Sequence, residues 1–241
     1  MFHYYINYIL HLFSTIFLKV AIIMRLLVKV DDSVPRFDCD ECCKCTSKIA
    51  KSLCKFKNRG CCFYYPKFNL VDLQRMSKHS TGRSVLKRII EKNTKIFNYY
   101  IQVIGYFDEN GYNNFKNLND NTSKKDAYEP DDNSIYFKAC PFVIDGTGCS
   151  IPHQYRTPIC NFFLCKEVKN KIKSKKLLND YEEASRSYYR YYEWENQNLI
   201  ELLEEKGLTL KDNFNEVIDF LSKIESYEYE FPSLQDFYKE A

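Results

Sequence analysis

The chain has 241 residues and a mass of 28.8 kDa, enough for one sizeable hydrophobic core and too short for a large multidomain enzyme. Apolar residues make up 45% and charged residues 28%, a globular composition that excludes a disordered chain. Thirty-five Lys and Arg against 32 Asp and Glu leave only +3, so nucleic acid is not an expected partner. A protein partner is left open.

In chain order, residues 4–23 are mostly apolar, about as long as the ~20 residues a membrane-spanning helix needs, and interrupted by Asn7, His11 and Lys19. No basic region precedes this run, and no small-residue cleavage site follows it, which argues against a secretory signal. Two readings remain. One is a membrane anchor, with Lys19, Arg25 and Lys29 keeping the rest of the chain on the cytoplasmic side. The other is a translation start at Met24. Both put the protein in the cytoplasm and its thiols in a reducing space.

Residues 31–37, with Pro35, read as a linker. Ile49, Leu53 and Phe56 recur at helical spacing, which predicts a short helix over 46–57. Asn69 followed by Asp72 is an N-cap signal for a helix carrying Leu70, Leu73 and Met76, with Gly82 as its expected stop. Val85, Leu86, Ile89 and Ile90 mark another turn or two. Residues 99–107 have strand composition, and Asn110-Gly111 is a hairpin-turn signal; residues 116–134 read as an exposed loop. A helix is expected over 169–206, with Leu178, Tyr181, Tyr188, Tyr192, Leu199 and Leu203 as its core stripe and Gly207 as its stop. A last helix carries Leu210, Phe214, Val217, Ile218, Leu221 and Ile224 and runs to Pro232.

These elements predict a mainly α fold with a small irregular or β element. Residues 1–33 form an apolar N-terminal segment, 34–168 a compact cysteine-rich metal-binding domain, and 169–241 a helical extension packing on it.

The 11 cysteines all lie between positions 39 and 165, in two groups. The first is Cys39, Cys42, Cys43, Cys45, Cys54, Cys61 and Cys62; the second is Cys140, Cys149, Cys160 and Cys165. Disulfides suit small secreted domains, and the odd count and adjacent pairs disfavour them here. Scattered buried thiols would not cluster so tightly. Thiolate ligation explains the density best, since closely spaced cysteines in a tight turn aim sulfurs at one ion. The turn-rich Asp145-Gly146-Thr147-Gly148, with Pro152 and Pro158 beyond it, provides the rigid irregular backbone such sites need.

The candidate ligands are Cys39, Cys42, Cys43, Cys45, Cys61, Cys62, Cys140, Cys149, Cys160 and Cys165. Cys54 reads as a buried thiol. Eight of them, Cys39, Cys42, Cys61, Cys62, Cys140, Cys149, Cys160 and Cys165, could fill two four-thiolate sites holding zinc, iron or iron-sulfur clusters. From position 38 to 88 there are 12 basic and 4 acidic residues, a basic shell expected to lower the thiol pKa values. Positions 193–241 carry 4 basic and 13 acidic residues, read as a solvated tail drawn to that module.

Cys140-Pro141-Phe142, Gly148-Cys149-Ser150-Ile151, Arg156 and Cys160 resemble the C-P-F-L, G-C-x-I-Y and R-P-x-x-C elements of the YkgJ-type cysteine-cluster family. Its members are described as zinc- or iron-chelating domains and are related to the cysteine region of flagellin lysine N-methylase. The resemblance covers residues 37–165. It departs at the start, where Cys39, Cys42, Cys43 and Cys45 stand for the family's CxxCxxCC, and at Pro158, displaced from its usual place beside the arginine. The resemblance implies metal binding and no particular reaction.

The leading functional reading is therefore a zinc- or iron-chelating protein that uses its metal structurally or in redox chemistry. The alternatives are a flagellin lysine N-methylase-like enzyme, for which no glycine-rich methyl-donor cradle is found, and a zinc-dependent nucleic-acid or protein interaction module, which would need salt-sensitive binding through the basic face from Lys44 to Arg88. A Cys149 or Cys160 nucleophile paired with His153 ranks below metal ligation.

Overall fold

The computed structural model describes residues 24–31, 34–39, 42, 45, 47–119 and 132–239; the apolar run at 4–23 and Cys43 lie outside them. The fold is mixed α and β, about half helical. Its β component is broader than a single small element: four small antiparallel sheets occur among the described residues. No helix among these residues is long and apolar enough to cross a membrane.

Strands β1 (Met24–Asp31) and β2 (Val34–Cys39) form a hairpin with Leu26 opposite Cys39 and Asp31 opposite Val34. The expected linker is thus a buried strand, with Val34, Arg36 and Phe37 covered. Phe37 explains why: its ring packs on Phe162 (5.1 Å) and Tyr181 (4.9 Å), so apolar burial overrides the turn signal of Pro35. The expected helix over 46–57 is reduced to one 3-10 turn at Lys48–Ala50. Beyond it, backbone groups that a helix would use internally are claimed by distant partners. The Leu53 amide donates to the Tyr136 carbonyl (2.8 Å) and the Lys51 carbonyl accepts from Arg59 (3.0 Å).

Strand β3 (Lys67–Asn69) leads into α1 (Leu70–Ser77), whose Asp72 side chain accepts the Asn69 amide as the cap signal requires. Gly82 lies inside α2 (Ser80–Ile90) instead of ending a helix. A Cβ there would strike the Met76 carbonyl oxygen and stand 2.8 Å from Met76 Cα. The glycine therefore permits α2 to turn back against the end of α1. Strands β4 (Thr94–Ile96) and β5 (Tyr100–Val103) complete a sheet in the order β3-β5-β4.

After β6 (Tyr106–Phe107), the Asn110-Gly111 turn signal is overridden by a helix, α3 (Glu109–Asn119). Asp108 caps it, its Oδ1 accepting the Gly111 amide at 3.0 Å. Strand β7 (Lys138–Ala139) pairs with β6, and β8 (Val143–Ile144) with β9 (Gly148–Cys149). Short helices α4 (Pro158–Asn161) and α5 (Lys166–Lys171) precede α6 (Lys175–Glu205). A break at residues 172–174 separates α5 from α6 where one helix was expected. Tyr181, Tyr188, Tyr192, Leu199 and Leu203 are buried as the stripe requires. Helix α7 (Phe214–Lys223) stops well before Pro232, and β10 (Phe237–Lys239) joins the edge of β1.

One contiguous core runs from Leu26 through α1, α2 and α6 to Leu221. Buried Tyr181 fastens the tail to this core by donating to the Gln235 carbonyl at 2.9 Å.

Candidate functional site

The two cysteine groups meet in space. The Cys140 amide donates to the Cys62 carbonyl (2.8 Å), and the Gly146 amide to the Asn58 carbonyl (3.1 Å). Asp145 Oδ1 accepts the Asn58 amide at 2.6 Å. The expected turn at 145–148 is therefore present, and it docks the second group onto the first. Gly60 brings the first group together. Its φ is +57°, and a Cβ would stand 2.5 Å from the Cys42 carbonyl oxygen. Only glycine combines that left-handed backbone with so close an approach, and it sets Cys61 and Cys62 beneath Cys42.

Two adjoining cavities share Cys39, Cys42 and Cys61. The smaller, about 40 Å³, adds Cys45 and Cys165 and has an apolar backing that includes Leu26 and Val168. The larger, about 320 Å³, adds Cys62, Cys149 and Cys160, with Arg36, Arg59 and Arg156 in its wall. Cys140 stands beside this second set, electrostatically coupled to Cys149 and Cys160. Cys165, at the N-cap of α5, thus faces the first-group thiols. All ten described cysteines are free thiols. Cys54 is buried, exchanges a hydrogen bond with Ser52 (3.2 Å), and lines neither cavity.

The electrostatics reverse the expected lowering of thiol pKa. A hydrogen bond with Cys39 favours the Cys42 thiolate, but the bond with Cys61, burial, and the charges of Cys61 and Cys45 outweigh it and push the thiol up to about 12. Cys61 is likewise favoured as thiolate by Cys42, yet Cys62, burial and Cys165 raise it to about 12. Burial dominates at Cys140, up to about 12, and at Cys160, up to about 11; Cys149 adds to both and Arg156 opposes. Cys160 shows open surface toward the cavity while protein surrounds it at longer range, so its thiol is still desolvated. Burial also raises Cys165. Most lysines of the basic stretch are exposed, and the raised thiols respond to burial and to one another more than to those lysines.

Neutral thiols of this kind are poor nucleophiles. His153 does line the larger cavity with Cys149 and Cys160, but the hydroxyl that bonds Cys160 is that of Thr157 (3.5 Å). Among the described residues, no group of three or more His, Cys, Asp and Glu is set, as it stands, to hold a metal ion.

Arg59 was not singled out by sequence reasoning. It is 2% exposed, and its guanidinium donates to the carbonyls of Gly60 (2.6 Å), Lys51 (3.0 Å) and Ile135 (2.8 Å). Its charge is felt by Cys54, Cys62 and Cys61. The signal was its place directly before Gly60 and the Cys61-Cys62 pair. No protein-family model, curated protein or solved structure matches the chain.

Proposed function

We propose that the protein is a cytoplasmic, thiolate-based zinc- or iron-binding protein, with an iron-sulfur cluster as one form of the iron reading, of the kind the YkgJ-type resemblance implies. The observation that carries the reading is the shared wall of Cys39, Cys42 and Cys61, which joins thiols from four separate chain segments around two adjoining cavities.

The donor set suits such a metal. Soft sulfur ligands select zinc and iron, and a bound cation would offset both the burial and the mutual repulsion that keep these thiols protonated. Arg59 and Arg156 would offset the negative charge that several thiolates leave on one ion. Because no three such groups already converge among the described residues, binding requires the thiols to turn inward from the walls they line. The metal, when bound, would cross-link the segments and supply either folding energy or an electron-accepting centre.

The test is elemental analysis and optical spectroscopy of protein isolated anaerobically without chelator. Bound zinc with no visible absorbance, or bound iron with charge-transfer bands, is the expected result. Protein free of both metals that also fails to take zinc from a weak chromophoric chelator overturns the proposal.

A further inference from the structure

A third cavity, of about 420 Å³, lies between α1, α6 and the segment after α7, away from the thiols. Its volume falls in the range of small-molecule sites. Tyr188, Tyr191 and Tyr229 supply aromatic walls, with Tyr229 perpendicular to Tyr188 (5.3 Å between centroids, 88°) and 4.9 Å from Tyr191. Glu195 of α6 belongs to the same wall and is only 3% exposed. Burial pushes its carboxyl up, while the Asn198 side chain, the Tyr227 backbone and the Lys78 charge favour the carboxylate, and its Oε2 has no hydrogen-bond partner.

Charge decides what such a cavity takes. Arg75 is neutralised by Asp72, 2.8 Å away, and the Lys78 ammonium is bonded to Ser226 Oγ at 2.5 Å. Against Lys78 stand buried Glu195 and exposed Glu225 and Glu228 at the rim, so the lining is net negative. Aromatic faces around a buried carboxylate favour an organic cation, and an acceptor oxygen without a donor favours one that carries N–H groups.

We propose that this cavity binds a primary alkylamine of the diamine class, one ammonium on Glu195 among the tyrosine rings and the other toward Glu225 and Glu228. The site is independent of the thiol centre. Trp194, the single tryptophan of the chain, lies 5.5 Å from Tyr227 at the cavity edge and reports on its occupancy.

The experiment is titration of the full-length protein with cadaverine, followed by Trp194 fluorescence and by calorimetry. Pentanediol serves as the neutral isostere, and tetramethylammonium as a cation without N–H. Saturable binding of cadaverine is expected, with no response to the diol and a weaker one to tetramethylammonium. Glu195→Gln should weaken cadaverine roughly tenfold or more, and the exposed pair Glu225→Gln with Glu228→Gln by a smaller factor. Absence of saturable binding, equal binding of the diol, or unchanged affinity in Glu195→Gln overturns the proposal. Should Glu195→Gln fail to fold, the rim variant decides, and affinity equal to wild type sinks the assignment.

Discussion

The Cys140 amide donates to the Cys62 carbonyl across 2.8 Å, tying the two cysteine groups by backbone before any metal is considered. Cys61, next to that bond, lines both thiol cavities, whereas Cys54 lines neither. Cys61→Ser, like Cys39→Ser or Cys42→Ser, is therefore expected to remove more bound metal than a change at a cysteine that lines one cavity only, and Cys54→Ser to leave the metal content unchanged. Zinc and iron per chain in the two variants, purified alongside wild type, check this. Equal losses would deny Cys61 its shared position.

In metal-free protein the raised thiols make stability pH-dependent. Cys42, Cys61 and Cys140 stand near 12 in the folded state, above the ordinary thiol value of about 8.5. The folded chain holds more protons than the unfolded one between roughly pH 9 and 12, so the contribution is complete below that window and is lost as pH rises through it. Thermal midpoints of chelator-treated protein should hold up to about pH 8.5 and fall as pH rises from about 9 to 11. Zinc, by replacing those protons, should flatten the fall.

Much of the framework is legible in the sequence where a local signal and the tertiary contacts agree. The Asn69–Asp72 cap, the tyrosine and leucine stripe of α6 and the turn at 145–148 are of this kind. The reading fails where a distant partner outbids the local pattern. Ile49, Leu53 and Phe56 have helical spacing, but Tyr136 and Arg59 take the backbone groups around them. Asn110-Gly111 favours a hairpin, but Asp108 caps a helix through it. The convergence of the cysteine groups could be anticipated from their chemistry. Which thiols share a wall could not, because Cys165 reaches the first group only through the path of the chain between Cys160 and α5. The Glu195 cavity left no pattern, since its tyrosines read as core.

Helix α1 is held to α6 by a buried polar set. Tyr192 donates to Asp72 Oδ2 at 2.6 Å, and Arg75 pairs with Oδ1 at 2.8 Å. Asp72→Asn leaves the half-buried Arg75 charge without its counterion and should cost about 3 kcal/mol, the low end for a buried pair. Tyr192→Phe leaves the ion pair and one unfilled acceptor site, and should cost about 1–2 kcal/mol. Urea unfolding of both variants measures the difference; similar costs would mean that the ion pair adds nothing beyond the phenol bond.

Gly82→Ala sets helix propensity against packing. In an exposed helix interior, alanine is more stable than glycine by about 1 kcal/mol. At Gly82 the added methyl meets the backbone of Met76, which cannot swing aside like the tip of a side chain, and overpacking of this sort costs about 1–3 kcal/mol. A net loss of stability in chemical denaturation is expected, and a gain would mean that α1 and α2 can separate freely.

Arg59 joins stability to the thiol centre. Burial works against its charge, and the sulfurs of Cys54, Cys62 and Cys61 work in favour; its contacts to Gly60, Lys51 and Ile135 are all to neutral carbonyls. Arg59→Met would fill much of the same space but strand three acceptors and remove a positive charge beside the sulfurs. A loss of about 2–4 kcal/mol is expected from the stranded carbonyls. Zinc affinity of the folded fraction should fall roughly 10–100-fold, as when outer partners of a metal ligand are removed. Arg59→Lys, which keeps the charge but cannot span all three carbonyls, should recover more of the affinity than of the stability. Affinity that stays at the wild-type level in Arg59→Met, with stability reduced, would confine Arg59 to bracing the turn that carries Cys61 and Cys62.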